Sequence, residues 1–452
     1  MLGREEEKRV LLSLLESDKS EFVAIYGRRR VGKTYLVRET FNYKFAFQHT
    51  GLQGGTIHEQ LEEFANSLII AGMKKVKRPK SWSQAFFMLG QHLSTLPDKK
   101  VIFIDELPWL DTPNSKFVSA LDHFWNGWAT ARKDIVLVVC GSATSWIMEK
   151  VVMNYGGLHN RLTEQIYLRP FTLHECEQYA TQRNLGMSRR NVLETYMVLG
   201  GMPAVVFTFV TQKNYSGTLK MQKQLLLDYE EDITKYAHGL DKGKILDIYR
   251  KIPVFLGKDN KKFQISKVRA GARNRDYVGT VSWLDNAGII NVCYCMSSPE
   301  LPLKGNYNPD NYKIYFRDTG LLIGSFDEEV QQDLRSNKNF NTYKGALYEN
   351  IVADMLVKQG YNLYFYRNEK GTLEMDFFVR DSDSLIPVEV KANDSSTPSL
   401  NALIEKENYE DIKYGIKLAN KNIGFNGKFY TIPYFLTFML KRFLSEKGKT
   451  EE

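Results

Sequence analysis

A short glycine-rich segment near the start of the sequence has the residue types that bind the phosphates of a nucleotide. The segment "GRRRVGKT" follows the apolar stretch "FVAIY" and precedes a helical pattern. It matches the P-loop pattern G-x-x-x-x-G-K-[ST] in the strand–loop–helix setting that this pattern requires. Glycines let successive backbone N–H groups turn toward a phosphate, and the start of the helix adds partial positive charge. The sequence therefore predicts an ATP site formed by Gly27, Arg28, Arg29, Arg30, Val31, Gly32, Lys33 and Thr34.

Two acidic residues follow a second apolar strand and complete the predicted ATP site. The segment "KKVIFIDE" ends in Asp105 and Glu106, at the carboxyl end of the strand, where open α/β sheets bind ligands. Lys33 is expected to reach the β- and γ-phosphates, while the Thr34 hydroxyl and, through water, Asp105 hold Mg²⁺. Glu106 is expected to orient and polarise the attacking water. The sequence therefore predicts Mg²⁺-dependent hydrolysis of ATP as well as its binding.

Two further polar residues are candidates for contact with the γ-phosphate. Ser142 ends the apolar run "IVLVVCGS" and is placed either to sense the γ-phosphate or to position water. Its side chain can equally serve as the N-cap of the helix that follows. Arg161, in "RLTEQIYLRPF", is a candidate to stabilise charge developing on the γ-phosphate, from the same chain or from a neighbouring subunit. A surface arginine without such a role is the alternative for Arg161.

A second group of residues, far along the chain, has the composition of a metal-dependent nuclease site. Glu389 and Lys391 lie two positions apart in "SLIPVEVKAND", and Asp376 lies in the preceding strand pattern "LEMDFFV". Glu349 comes earlier, in the helical pattern "GALYENIVADML". The three acids would hold one Mg²⁺ or Mn²⁺ with oxygen ligands. Lys391 would orient or deprotonate the water that attacks a phosphodiester.

This second group has simpler interpretations. The alternation of apolar and charged residues in "IPVEVKA", considered alone, indicates only a half-exposed β-strand. The acids can form a salt-bridged surface with Lys391, or belong to a domain used for binding rather than cleavage. Tyr366 and Arg367, on the strand before Asp376, can approach a phosphate backbone, although the exposed edge of a sheet uses the same residue types. Metal binding and cleavage are therefore separate predictions.

The spacing of apolar residues predicts the elements that position both groups. Residues 1–170 alternate helices with strands that are apolar on both faces, which indicates an α/β domain with a covered parallel sheet. Residues 171–236 are predicted to be a helical lid, and residues 237–300 have the order of a winged helix-turn-helix. Residues 301–335, with several Pro, Gly and Asn, are predicted to form a linker of turns. The order helix, three strands, helix, strand in residues 336–452 predicts a second α/β domain.

The amino-acid composition of the chain is that of an ordinary folded protein. Of its 452 residues, 43% are hydrophobic and 25% are charged, which excludes a disordered or fibrous chain. Apolar runs stay short of the ~20 residues of a membrane span and the N-terminus lacks a secretory pattern, so we expect a cytoplasmic protein without a membrane partner. The net charge of +8 is compatible with DNA as a partner, although a run of basic residues is also common on a solvated helix face. Within the predicted winged helix, Lys267, Arg269, Arg273 and Arg275 bring four positive charges within nine residues.

Four segments make the chain similar to a known family. "DELPWL", "CGSATSWI", "RLTEQIYLRPF" and "LGGMPAVV" together resemble the predicted AAA-superfamily ATPases of bacteria and archaea, an archaeal-type group related to the STAND signal-transduction NTPases. The resemblance covers nearly the whole chain and implies a C-terminal restriction-endonuclease-like domain of the PD-(D/E)xK type, with Met375 in place of the proline in that name. It also implies that Pro203, in "GGMP", packs near the bound base. A helix end at Gly-Gly followed by Pro is the other interpretation.

Three functions are compatible with these predictions. In the first, an ATP-dependent enzyme acts on or near DNA and its C-terminal domain cuts. In the second, the chain is a STAND-like nucleotide switch in signalling or defence. Its ATP state would change homo-oligomerisation, and its C-terminal domain would be a non-cutting effector or binding module. In the third, an ATPase carries an inert appendage.

Overall fold

The chain divides into two compact units, Met1–Arg169 and Pro170–Glu452. A computed structural model describes residues 3–153, 161–237, 239–256, 263–327, 329–336, 342–392, 395–406 and 409–450. Across these ranges, no helix combines the length and the apolar character needed to cross a membrane.

The first unit alternates strands and helices. Its strands are β1 (Glu21–Tyr26), β2 (Phe47–Thr50), β3 (Lys100–Asp105), β4 (Ile135–Gly141) and β5 (Glu164–Tyr167). Its helices are α1 (Glu5–Glu16), α2 (Lys33–Thr40), α3 (Ile57–Ile70), α4 (Trp82–Ser94), α5 (Leu107–Leu110), α6 (Phe117–Phe124) and α7 (Thr144–Ile147). All neighbouring strands are parallel, in the order β2-β3-β4-β1-β5. β3 and β4 are buried at every position, so both faces of the sheet are covered.

Local sequence signals explain several of these elements. The apolar runs "FVAIY", "KKVIFIDE" and "IVLVVCGS" form β1, β3 and β4, and the parallel sheet confirms the predicted α/β class. α3 begins with a capping box, in which Thr56 and Glu59 satisfy each other's backbone N–H groups. α4 was not predicted. β5 also was not predicted and extends the sheet beyond β1, because its exposed first two residues weaken the apolar signal.

The second unit begins with helices and continues into mixed sheets. Its helices are α8 (Leu173–Gln182), α9 (Arg189–Leu199), α10 (Pro203–Gln212), α11 (Thr218–Tyr236), α12 (Lys242–Leu256), α13 (Thr280–Asn286), α14 (Thr319–Gly324), α15 (Glu329–Arg335), α16 (Thr342–Lys358), α17 (Pro398–Glu405) and α18 (Leu440–Thr450). Its strands are β6 (Ile290–Met296), β7 (Tyr307–Phe316), β8 (Leu363–Arg367), β9 (Glu374–Met375), β10 (Phe377–Arg380), β11 (Leu385–Val390), β12 (Gly415–Ala419), β13 (Gly424–Phe425) and β14 (Phe429–Pro433).

Two sheets organise the second half of this unit. The first has the order β7-β6-β8-β9, with β6 antiparallel to β7 and parallel to β8. The second has the order β10-β11-β12-β14-β13, with β11 antiparallel to β10 and parallel to β12. Asp376 lies between β9 and β10, where the chain passes from one sheet to the other. The order of helices and strands predicted for residues 336–452 is found from α16 to β12, except that the predicted strand "LEMDFFV" is divided at Asp376 into β9 and β10.

Two expectations for the segment before α16 are wrong. The predicted linker, residues 301–335, contains the ten-residue strand β7 and the buried helix α14. In the sequence, the Pro, Gly and Asn residues around "YKIYF" hide the alternation of apolar and polar residues that indicates a strand. The helices expected between α12 and β6 are reduced to turns at Ile265–Lys267 and Asn274–Tyr277 and the short α13, because Gly271 and Gly279 take positive φ. The winged helix and the finer domain boundaries stay predictions.

Candidate functional site

The glycine-rich loop leaves β1 and enters α2 along a path that requires glycine. Gly27 has a φ of 147°, and a Cβ atom placed on it would lie 2.2 Å from the carbonyl oxygen of Leu168. That carbonyl is fixed, because the backbone N–H of Leu168 donates to the carbonyl of Tyr26 at 2.8 Å. Gly32 has a φ of 92° directly before α2. The backbone thus takes conformations here that other residues rarely adopt.

Lys33 lies buried inside this loop. Its Nζ donates to the carbonyl oxygens of Gly27 at 2.9 Å and Arg28 at 3.1 Å. Burial lowers the pKa of Lys33, and the nearby carboxylate of Glu106 opposes this shift. A partly desolvated ammonium group held by two carbonyls is ready to exchange them for phosphate oxygens, which are stronger acceptors.

The side chains of Thr34 and Asp105 meet across the end of the sheet. The Thr34 hydroxyl donates to Asp105 Oδ2 at 2.7 Å, and the backbone N–H of Glu106 donates to Oδ1 at 3.0 Å. Burial raises the pKa of Asp105, and the hydrogen bond from Thr34 opposes the rise. A hydroxyl and a carboxylate at this distance have the oxygen donors that Mg²⁺ prefers, so these residues fit the predicted ion.

Glu106 is held by the end of β4. Because β4 lies between β1 and β3, its terminal residue Gly141 brings Ser142 beside the acid. Glu106 Oε2 accepts a hydrogen bond from the Ser142 hydroxyl at 2.9 Å and from the Ser142 backbone N–H at 3.2 Å. Glu106 itself has a φ of 49°. The carboxylate is therefore fixed in direction at the same edge of the sheet as the glycine-rich loop.

A second polar cluster lies in the second unit, where β10 begins and β11 ends. Phe377 pairs with Val388, so Asp376 and Glu389 occupy the next positions on antiparallel strands. Asp376 Oδ2 accepts a hydrogen bond from the backbone N–H of Val390 at 2.8 Å.

Glu389 pairs with the neighbouring lysine through one oxygen only. It is 4% exposed, and its Oε1 lies 2.6 Å from Lys391 Nζ. Its Oε2 is buried and has no hydrogen-bond partner among the described residues.

Glu349 belongs to the same region but already has a cation beside it. Its Oε2 accepts a hydrogen bond from the Tyr315 hydroxyl at 3.1 Å and lies 4.0 Å from Lys313 Nζ. Lys313, on β7, is 1% exposed and lies 2.8 Å from Glu374 Oε1. Burial lowers the pKa of Lys313, but the carboxylates of Glu349, Glu374 and Asp376 outweigh burial and the pKa is raised. Lys313 therefore carries its positive charge at neutral pH.

We name Glu349, Glu374, Asp376 and Glu389, with Lys313 and Lys391, the acidic cluster. Among the described ranges of the chain, no three His, Cys, Asp or Glu side chains are arranged closely enough to hold a metal ion together. The unpartnered oxygen of Glu389 suits a cation, whereas Glu349 faces the ammonium group of Lys313. The cluster thus fits a metal ion in part.

Comparison with known proteins finds relatives of the first unit. Residues 1–209 match the family described as "ATPase domain predominantly from Archaea". The solved structure of a Walker-type ATPase of Pyrococcus abyssi superposes with a TM-score of 0.51 at 16% identity, over 72% of this chain and 96% of the other. Residues 1–209 thus match an ATPase family, and the chain has the fold of a Walker-type ATPase.

Other similarities extend beyond the ATPase domain. Residues 190–329 and 344–436 match two families described as domains of unknown function, DUF8612 and DUF4143. An uncharacterized protein of Methanocaldococcus jannaschii is 24% identical over 374 residues, 79% of this chain and 77% of the relative. The ORC2 protein of Aeropyrum pernix covers 74% of this chain and 93% of its own at 13% identity, with a TM-score of 0.40. That score is too low to indicate a common fold.

The remaining residues predicted for the ATPase domain occupy varied environments. In the glycine-rich loop Arg28 and Val31 are buried, Arg29 is half-buried and Arg30 is exposed. Arg161 is exposed, shortly before β5. Pro203 is the first residue of α10, in the second unit, where its missing N–H costs no helical hydrogen bond. The roles of Arg161 and Pro203 stay predictions.

The sequence did not reveal Asp318, which explains the Gly-Gly pair before Pro203. Asp318 Oδ2 accepts a hydrogen bond from the backbone N–H of Gly201 at 2.7 Å, and Oδ1 accepts one from Leu321 at 3.2 Å at the start of α14. A Cβ atom on Gly201 would lie 2.0 Å from the carbonyl oxygen of Phe171. Burial raises the pKa of Asp318 to about 6. An aspartate directly before "TGLL" was the available signal, since it is typical of a helix N-cap.

Proposed function

We propose that the ATPase domain binds Mg²⁺ and ATP at the glycine-rich loop, hydrolyses the ATP, and couples this hydrolysis to DNA. The observation that supports hydrolysis is the convergence of two acids at one edge of the sheet. Asp105 lies 2.7 Å from Thr34, and Glu106 is fixed by Ser142 at 2.9 Å.

Each residue of the ATP site has its own role in the reaction. Lys33 leaves the carbonyls of Gly27 and Arg28 and pairs with phosphate oxygens, while the backbone N–H groups of the loop bind the remaining oxygens. Thr34 and, through water, Asp105 would hold Mg²⁺, which would neutralise phosphate charge when bound. Glu106 accepts a hydrogen bond from the attacking water and orients it toward the γ-phosphate.

Two substitutions separate binding from turnover. Lys33→Ala should abolish tight binding of a fluorescent ATP analogue, and Glu106→Gln should retain binding while phosphate release falls on the order of 100-fold or more. The exposed residues Lys77 and Glu16 provide the matched controls Lys77→Ala and Glu16→Gln. Unchanged nucleotide affinity in Lys33→Ala contradicts the assignment of the site. ATP turnover that responds neither to duplex DNA nor to single-stranded DNA contradicts the coupling.

We propose for residues 336–452 a restriction-endonuclease-like domain of the PD-(D/E)xK type. Its support is the order of elements from α16 to β12, together with neighbouring positions for Asp376 and Glu389 and the 2.6 Å separation between Glu389 and Lys391. Asp376 and Glu389 would hold Mg²⁺ or Mn²⁺, which would supply a Lewis acid when bound, and Glu349 would join them only by leaving Lys313. Lys391 would orient the attacking water.

Lys313 favours a second candidate for this domain, a non-cutting module of a nucleotide switch. Its ammonium group lies 4.0 Å from Glu349 and 2.8 Å from Glu374, so part of the negative charge is already balanced within the chain. In this alternative the acidic cluster stabilises the fold, and ATP changes the oligomeric state.

A cleavage assay distinguishes the two candidates. Plasmid and linear DNA are incubated with Mg²⁺ or Mn²⁺, with and without ATP, and wild type is compared with Lys391→Ala and with Lys413→Ala, an exposed control. Cleavage lost only in Lys391→Ala supports the nuclease. Absence of both cleavage and Mn²⁺ binding by calorimetry, together with a change of mass on adding a non-hydrolysable ATP analogue, supports the switch.

A further inference from the structure

A cleft of about 500 Å³ opens in the second unit, and none of its lining residues belongs to the acidic cluster. One wall is formed by the turns between α12 and α13, and the other by the hairpin of β6 and β7. Its volume lies within the roughly 300–1,000 Å³ typical of ligand sites. Neither the ATP site nor the acidic cluster accounts for it.

Four aromatic side chains are among the residues that line the cleft, Phe263, Tyr277, Tyr294 and Tyr312. The rings of Phe263 and Tyr312 stack with centroids 6.0 Å apart and planes 16° apart, and Tyr294 meets Tyr312 at 71°. The backbone N–H of Phe263 donates to the carbonyl of Tyr312 at 2.8 Å, which holds the two rings together. Tyr294 and Tyr312 are half-buried, so part of each ring faces the cleft. Such a platform favours a flat, unsaturated ligand.

Polar groups surround the aromatic platform. Asn274, Ser282 and Asp310 line the cleft and are at least partly exposed. An amide, a hydroxyl and a carboxylate together provide donors and acceptors that match the hydrogen-bonding edge of a nucleobase.

The wall between α12 and α13 also carries positive charge. Arg275 lines the cleft with a 74% exposed side chain, 3.9 Å from Asp276. Exposed cations continue along the same segment. They are Lys267, Arg269 and Arg273. Within residues 267–276 these four cations stand against one acid, Asp276, so this segment has a positive balance that attracts phosphates.

We propose that this cleft binds an unstacked base of single-stranded nucleic acid, with the cations between Lys267 and Arg275 on the adjoining phosphates. A free mononucleotide has too few phosphates to use cations along the whole segment. A duplex keeps its bases stacked and cannot present a ring face. The inference rests on the proposed coupling to DNA for its class of partner, and specifies the strand form and the site.

Binding is measured on the full chain by fluorescence anisotropy. The probes are a labelled 15-nucleotide DNA, the RNA of the same sequence, the corresponding DNA duplex, and unlabelled AMP and CMP as competitors. The DNA or the RNA strand should bind at least tenfold more tightly than the duplex, and neither mononucleotide should compete at concentrations tenfold above that of the protein. Whichever strand binds more tightly identifies the natural partner as DNA or as RNA.

Variants locate the binding in the cleft. Ser282→Trp fills it from α13, and Tyr312→Leu removes the ring; each should weaken strand binding roughly tenfold, as loss of one stacked base does. Tyr312→Phe should restore it. Arg273→Ala with Arg275→Ala should reduce the slope of log affinity against log salt by about 0.7 for each phosphate that is no longer neutralised, whereas Ser282→Trp leaves that slope unchanged. Lys77→Ala is the charge control.

Several results overturn the proposal. They are wild-type affinity in both Ser282→Trp and Tyr312→Leu, equal affinity for duplex and single strand, or competition by AMP or CMP at the concentrations used. ATP turnover is measured on the same preparations. Turnover stimulated by duplex DNA without strand binding rejects the cleft alone, and strand binding without any stimulation of turnover rejects the proposed coupling alone.

Discussion

Replacing Ser142 by alanine tests whether this residue acts through Glu106. Alanine removes the hydroxyl bond of 2.9 Å to Glu106 Oε2 and leaves the backbone bond of 3.2 Å to the same oxygen. A hydrogen bond to a charged group contributes about 1.5–3 kcal/mol. Glu106 is partly exposed, so water replaces some of the lost interaction and the lower end, about 1.5 kcal/mol, applies. Because about 1.4 kcal/mol corresponds to a factor of ten in rate, kcat should fall roughly tenfold.

The assay combines turnover with equilibrium binding. The kcat for phosphate release is measured beside the Kd for a non-hydrolysable ATP analogue, and only kcat should change, since the hydroxyl bonds to the acid. Ser142→Thr retains a hydroxyl and should recover most of the rate. In a Glu106→Gln background the serine substitution should have little further effect, because residues that act together are not additive.

Two results would refute this reasoning. If Ser142→Ala lowers kcat by the same factor in the Glu106→Gln background, the two residues act independently. If it weakens nucleotide binding tenfold and leaves kcat unchanged, the hydroxyl contacts the nucleotide in the bound state and does not serve to hold the acid.

Three stability predictions concern other parts of the chain. Gly27→Ala should lower the free energy of unfolding in urea by about 1–3 kcal/mol and abolish ATP binding, while Gly54→Ala, also at positive φ but with open space around it, should cost less and retain binding. Lys313→Met leaves buried carboxylates without their cation and should cost about 3–5 kcal/mol; the exposed control Lys304→Met should be neutral. The pKa of Asp318 is raised from 3.8 to about 6, so the folded chain binds this proton more tightly than the unfolded chain does. The stability that this proton contributes is complete below about pH 4 and is lost, by ~3 kcal/mol, as the pH rises to about 6. Urea unfolding of wild type and Asp318→Asn measures this loss. A difference in free energy of unfolding between the two that stays constant from pH 4 to pH 6 would contradict the prediction.

The part of the site that the sequence predicted depends on local pattern. The glycine-rich loop, its lysine and its threonine are consecutive, and Asp105 follows an apolar strand that has few alternatives. The bond between Ser142 and Glu106 depends instead on β4 lying between β1 and β3, and the order of strands in a sheet is not written in the spacing of residues.

The contacts of Lys313 in the second unit also could not be predicted from the sequence. It meets Glu349 and Glu374 only because β7 joins the sheet of β6 and β8, whereas the composition around β7 indicated turns. A lysine between Tyr312 and Ile314 in an alternating pattern was a weak signal of a strand. It carried no information about which acids would surround the ammonium group.

The parallel pairing of β6 with β8 decides how this protein can be divided. Cys293 lies opposite Leu363 and Cys295 opposite Phe365, so the first strand after α16 completes its hydrogen bonds with a strand that precedes β7. A fragment beginning at residue 336 would keep β8 without this neighbour, and an apolar strand with an open edge promotes aggregation. A fragment beginning at Pro170 retains the pairing. The C-terminal region is therefore not a portable module, and recombination between related genes would preserve it only when β6 and β7 are transferred with it.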